Sequence, residues 1–119
     1  RIILAIKSMM SATHHLDTLI FDEIDSAVSG STASAIGKKL ASLAKTLQIF
    51  SVTHSPQVAS KANHHYLIKK SDNQGDDYSI EVTEIEDDDR IEEIARMLSG
   101  EKITNQAREA SKSLIYEDE

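Results

Sequence analysis

Two short apolar runs, Thr18-Leu19-Ile20-Phe21 and Ile49-Phe50-Ser51-Val52, constrain this chain more than anything else in it. Each is continuously rather than alternately apolar, which predicts a strand covered on both faces, as in a parallel sheet. Each also stops abruptly on polar residues, Asp22-Glu23 after the first and Thr53-His54 after the second. Between them, Ser29-Gly30-Ser31 offers a turn and an N-cap, and Ile36, Leu40, Leu43 and Leu47 fall on one helical stripe. A strand, a crossover helix and a second parallel strand would bring both polar ends to one edge of the sheet. That is the edge at which open α/β sheets bind ligands.

The flanking segments extend the same layout. Upstream, Ile2, Ile3, Ile6, Met9 and Met10 recur at helical spacing, predicting an amphipathic helix that ends near His14. Downstream, Ser55-Pro56 combines a capping hydroxyl with a proline at the first helical position. Tyr66-Leu67-Ile68 and Tyr78–Ile85 read as strands, joined across the polar segment Ser71–Gly75 into a hairpin. In the second of them Ser79, Glu81 and Thr83 form a wet face, opposite Tyr78, Ile80 and Val82. Ile91, Ile94, Ala95 and Leu98 mark a helix stopped by Ser99-Gly100. Thr104 can cap a last helix with Ala107, Ala110 and Leu114 turned inward. The order is helix, strand, helix, strand, helix, hairpin, two helices: an α/β chain with parallel strands and flanking helices.

Composition removes several kinds of chemistry. A chain of 119 residues is one domain at most, or part of one. It has no cysteine, which excludes disulfide scaffolds, thiolate zinc sites and cysteine nucleophiles. No apolar stretch approaches the ~20 residues of a membrane span, and no signal-peptide pattern opens the chain. It starts at Arg1, directly in an apolar helical pattern, and we read it as a piece of a longer intracellular protein.

The net charge of −7 argues against a basic surface that coats nucleic acid along the whole chain. The charge is unevenly spread: residues 1–75 are net basic, and residues 76–119 are strongly acidic around Glu84, Glu86, Asp87, Asp88 and Asp89. Such a run is ordinarily a solvated loop and helix start, and it lacks the spacing and glycine of a calcium loop. The pairs His14-His15 and His64-His65 are neighbours whose side chains diverge, which suits zinc poorly. Lys38, Lys39 and Lys45 offer at most a weak, salt-screened contact to DNA.

The strand ends carry the chemistry. Strand side chains alternate, so Asp22 and Glu23 point in different directions and can take different roles. Asp22 could hold a magnesium ion through its water shell, as the acid of a Walker B strand does. Glu23 would then be free to orient and deprotonate a water attacking a γ-phosphate. An imidazole at His54 could donate to that phosphate or polarise the water. No G-x-x-x-x-G-K-[ST] phosphate loop occurs; Gly37-Lys38-Lys39 lacks the earlier glycine and the hydroxyl, and falls within a helix.

Leu19–Gly30 (LIFDEIDSAVSG), Val52–Ala59 (VTHSPQVA) and Glu93–Gly100 (EIARMLSG) resemble the RecN family of bacterial SMC/ABC-type DNA-repair ATPases. The resemblance implies the C-terminal lobe of a P-loop NTPase head over residues 1–119, with Walker B, D-loop and H-loop present and Walker A and signature motif absent. It implies Asp22 as the Walker B aspartate, Glu23 as the catalytic glutamate and His54 as the H-loop histidine. Asp25, Ser26, Ala27, Val28 and Ser29 fall where the family has the D-loop that crosses to a partner subunit. The implied cofactors are ATP and Mg2+, and the implied partners are a second head in a homodimer and, through the full-length protein, DNA. The implied location is cytoplasmic and nucleoid-associated, with no membrane partner, and the implied role is recombinational repair of double-strand breaks.

Two departures stand out. Ser26-Ala27 replaces a Thr-Gly, which leaves the D-loop less backbone freedom, and Ser29 stands where other ABC D-loops carry aspartate. Without a phosphate loop and signature motif, the chain alone is expected to bind ATP weakly and not to turn it over. The alternatives are a head fragment of another SMC/ABC-type ATPase, or a non-catalytic interaction module docking through its acidic tail.

Overall fold

The computed structural model describes residues 17–72 and 78–117. The elements are β1 (Thr18–Asp22), α1 (Gly30–Leu43), β2 (Gln48–Val52), α2 (Pro56–Ala59), β3 (His65–Asp72), β4 (Tyr78–Ile85), α3 (Asp87–Ser99) and α4 (Asn105–Tyr116). The predicted opening helix, with Ile2, Ile3, Ile6, Met9 and Met10, lies outside the described residues, as do Asn73, Gln74 and Gly75 of the hairpin turn.

β1 and β2 pair in parallel from Thr18 opposite Gln48 to Asp22 opposite Val52, so the two strands end level. Their inner face carries Leu19 and Phe21, which pack with Ala33, Ile36 and Leu40 of α1 and Val58 of α2. Phe21 is 2% exposed, and truncation there to alanine is expected to cost about 3–5 kcal/mol. The expectation of cover on both faces is corrected for the described residues. Ile20 is 68%, Phe50 49% and Val52 47% exposed on the opposite side, because α1 lies on one face and no other described element covers the second.

Gly37 sits in the middle of α1 because α2 passes there: a Cβ on Gly37 would lie 2.9 Å from the Gln57 carbonyl oxygen. α2 also touches α3 and α4, so this single turn joins the parallel pair to the C-terminal helices. Arg90 of α3 clamps its end, with Nη2 donating to the carbonyls of Ala59 (3.3 Å), Ser60 (2.9 Å) and Ala62 (2.7 Å). Lys61 Nζ donates to the Leu114 carbonyl of α4 at 3.1 Å.

β3 and β4 form the antiparallel hairpin, running from His65 opposite Ile85 to Asp72 opposite Tyr78. Ile85 is buried, but Tyr66, Ile68, Tyr78, Ile80 and Val82 share a face that stays open among the described residues. The hairpin is therefore wet on both sides over most of its length, not on the Ser79-Glu81-Thr83 side alone.

The acidic run opens α3, where Asp87, Asp88 and Asp89 in the first turn face the positive end of the helix dipole. Gly100 ends that helix at φ 79°, a left-handed conformation suited to glycine. Thr104 caps α4, its Oγ1 accepting from the Ala107 N–H at 3.1 Å. The inward stripe of α4 differs by one position from the expected one: Ala110 is exposed and Ser111 is wholly buried. Ser111 tolerates that burial because its hydroxyl donates to the Ile91 carbonyl at 2.8 Å.

Candidate functional site

Level ends on β1 and β2 bring the two polar segments together. The Glu23 N–H donates to the Val52 carbonyl at 2.8 Å, one rung past the last strand residue. There the chain turns sharply, with Glu23 at φ 51°, a left-handed conformation uncommon for a residue with a side chain. The turn swings the Glu23 carboxylate toward the other strand end, where its Oε1 lies 2.6 Å from His54 Nε2. The His54 side chain is 87% exposed and that of Glu23 45%, so the pair opens to solvent and a ligand could reach both groups. A carboxylate and an imidazole in this contact can hold a water and pass a proton between them.

Asp22 ends β1, exposed and level with Val52. Glu23 follows it on the turn, so adjacent carboxylates occupy different backbone settings. The described residues contain no group of three or more His, Asp or Glu placed to cage a metal ion. A cation at Asp22 would keep most of its water, which suits magnesium better than zinc or calcium.

The segment after Glu23 divides in two. Ser26, Ala27, Val28 and Ser29 are exposed, and Ala27 takes φ 61°. Asp25, by contrast, is only 7% exposed, and its Oδ2 accepts a hydrogen bond from the Thr53 hydroxyl. The Thr53 Oγ1 in turn accepts from the Ser55 N–H at 2.9 Å, so this hydroxyl spans His54. Sequence reasoning assigned Thr53 no role of its own; its one signal was a hydroxyl residue directly before the histidine at a strand end. Ser29 precedes α1 as its N-cap residue, but its Oγ contacts Ser31 Oγ and Thr32 Oγ1, both at 3.2 Å, rather than a backbone N–H. Ser55 behaves alike before α2, its hydroxyl donating to Gln57 Oε1 at 2.9 Å.

The remaining candidates lie elsewhere. His64 Nδ1 is 2.7 Å from Glu84 Oε1 across the hairpin, while His65 is half-buried and feels the charges of Arg90 and Glu93. Lys70 lies over the Tyr78 ring, 3.9 Å from its centroid. No helix among the described residues is long and apolar enough to cross a membrane.

The arrangement of a parallel pair with a crossover helix, a hairpin and two C-terminal helices is shared with part of a solved SMC ATPase structure. A solved structure from a study of ATP-driven dimerization and DNA-stimulated activation of SMC ATPases matches with a TM-score of 0.63, over 83% of this chain and 58% of that one. At 14% identity, that likeness concerns the fold.

In sequence, the chain is RecN-like along nearly its whole length. It is 37% identical over 115 residues, 97% of the chain, to the DNA repair protein RecN of Halalkalibacterium halodurans. It is 40% identical over 100 residues to RecN of Deinococcus radiodurans, covering 84% of the chain, and 35% identical over 115 residues to RecN of Bacillus subtilis, covering 97%. It spans 20%, 17% and 20% of the lengths of these relatives. No protein-family model matches the chain.

Proposed function

We propose that this chain is the C-terminal lobe of the ATP-binding and hydrolysing head of a RecN-like DNA-repair protein. The observation that carries the reading is the 2.6 Å contact between Glu23 and His54 at the level ends of two parallel strands. An open α/β edge that presents a carboxylate pair beside an imidazole suits hydrolysis of a phosphoanhydride.

On this reading Asp22 would hold the magnesium of Mg-ATP through the ion's water shell, and the ion would supply neutralisation of phosphate charge. Glu23 orients a water in line with the γ-phosphate and takes its proton as the oxygen attacks. His54, in contact with the Glu23 carboxylate through Nε2 and open to solvent, keeps that carboxylate aimed, and with both ring nitrogens protonated it donates from Nδ1 to the γ-phosphate. Ser26, Ala27, Val28 and Ser29, all exposed, are available to a second head across the nucleotide. The phosphate loop and signature motif come from other parts of the full-length protein and its partner. The 119-residue chain alone is therefore inactive. The full-length protein acts as a head-to-head homodimer on DNA, in the cytoplasm at the nucleoid, in recombinational repair of double-strand breaks.

Glu23→Gln in the full-length protein tests the reading. Replacing the proton acceptor by an isosteric amide should leave ATP binding in place and lower hydrolysis by at least about a hundredfold. A docking module without catalytic function would keep its hydrolysis rate unchanged.

A further inference from the structure

Asp25 is the one charged residue buried among those described. An ionised carboxylate out of water is costly unless it is hydrogen-bonded, so its position calls for a partner. That partner is the Thr53 hydroxyl. Asp25 lies two residues after Glu23, and Thr53 lies immediately before His54. The Thr53 oxygen also accepts from the Ser55 N–H, so it fixes the backbone on both sides of His54. Glu23 is braced on the other side by the Ser26 N–H, which donates to its carbonyl at 3.2 Å. The sheet ladder ends at the Glu23 N–H, and the His54 ring is too exposed to be held by packing. Past the last rung, among the described residues, the side-chain bond that joins the two loops besides the Glu23–His54 contact itself is the one from Thr53 to Asp25.

We infer that Asp25 and Thr53 form a latch that positions Glu23 against His54, making them positioning residues for the reaction proposed above. The inference rests on that reading of Glu23 and His54. It gives Asp25 a role inside its own head, apart from the exposed stretch Ser26–Ser29 that faces outward. With the latch open, each loop keeps its place in the fold, but the carboxylate and imidazole meet for a smaller share of the time. The loss then falls on the chemical step and not on nucleotide binding.

The test is steady-state hydrolysis of Mg-ATP by variants of the full-length protein. Thr53→Val keeps the shape and removes the hydroxyl; kcat should fall about tenfold with KM for ATP unchanged. Thr53→Ser restores the hydroxyl and Asp25→Asn keeps an acceptor oxygen, and both should stay within about twofold of the parent. Because Thr53→Val strands a buried carboxylate and could unfold the protein, Asp25→Leu/Thr53→Val is the companion variant. Replacing both partners by apolar groups of similar shape is close to neutral for folding. This double variant strands no charge and leaves only the Ser55 N–H without its acceptor, so it should stay folded, melting somewhat below the parent, and still show the tenfold loss of kcat. Parent-like kcat in a folded Thr53→Val or Asp25→Leu/Thr53→Val protein overturns the latch. So does a loss in Thr53→Ser as large as in Thr53→Val. If Glu23→Gln hydrolyses ATP like the parent, the ATPase reading itself falls. If Glu23→Gln is inactive while the latch variants are normal, only the latch falls.

Discussion

Gly37 lies so close to Gln57 that any side chain at this position would press a methyl group to 2.9 Å from the Gln57 carbonyl oxygen and 3.2 Å from the Val58 Cα. Both obstacles are backbone, and Lys61 Cγ at 3.3 Å adds a third that can swing away. In an exposed helix interior, Gly→Ala stabilises by about 1 kcal/mol. Here the sign should reverse: Gly37→Ala is expected to destabilise by about 1–3 kcal/mol as α1 and α2 are pushed apart. Urea unfolding of the two proteins measures it, and an unchanged or higher midpoint would show that the contact has slack.

Ala27 is a second place where the backbone decides. At φ 61° its Cβ crowds the following carbonyl, at a cost of roughly 1–2 kcal/mol that glycine does not carry. Glycine gives back part of that through the greater freedom of the unfolded chain, about 0.4–1 kcal/mol. Ala27→Gly is therefore expected to stabilise by about 0.5–1 kcal/mol, read as a higher thermal or urea midpoint. Glu23, at φ 51°, carries similar strain, but its carboxylate is the group that reaches His54.

These positions show what the sequence could and could not reveal. The β1-α1-β2 unit was legible because its cues are local: two apolar runs, a helical stripe and abrupt polar stops. The level strand ends follow from that unit, and with them the meeting of Glu23 and His54. The Thr104 cap and the Gly100 stop were legible for the same reason. Burial of Ser111 was not, because a polar residue enters a core when a particular partner awaits it, and the Ile91 carbonyl lies twenty residues away. The contact of Asp25 with Thr53 escaped notice likewise: nothing within three residues of either names the other. Cover of the parallel strands on both faces was expected from the continuous run around Ile20, yet the described elements lie on one face alone.

Arg90 ties α3 to the end of α2. Its Nη2 reaches three carbonyls at the end of α2, the turn that follows His54 and on which α1, α3 and α4 converge. Burial lowers its pKa below the ordinary arginine value, with the Tyr116 side chain acting in the opposite direction, but a guanidinium stays charged at neutral pH. Arg90→Met keeps the apolar stem and strands the carbonyls, at an expected cost of about 1–3 kcal/mol. Arg90→Lys should recover only part of this, since an ammonium cannot reproduce the planar fork. Full recovery by lysine in urea unfolding would reduce the clamp to a simple charge.

His65 should make stability depend on pH. Its Nδ1 is buried without a hydrogen-bond partner. Burial first, and the positive charge of Arg90 second, lower its pKa below the ordinary 6.5; Glu93 opposes them. The folded state thus takes up a proton on His65 less readily than the unfolded chain does. Above about pH 6.5 both states hold it neutral and its contribution to stability is fully present. As the pH falls through 6.5 toward the lowered folded value, the unfolded chain binds the proton first, and stability is lost. The thermal midpoint is therefore expected to drop between about pH 8 and about pH 5.5, and to drop less in a His65→Phe variant. The other histidines are common to both proteins, so the difference in slope isolates His65. Equal slopes would mean that the ring titrates alike folded and unfolded, and would overturn the prediction.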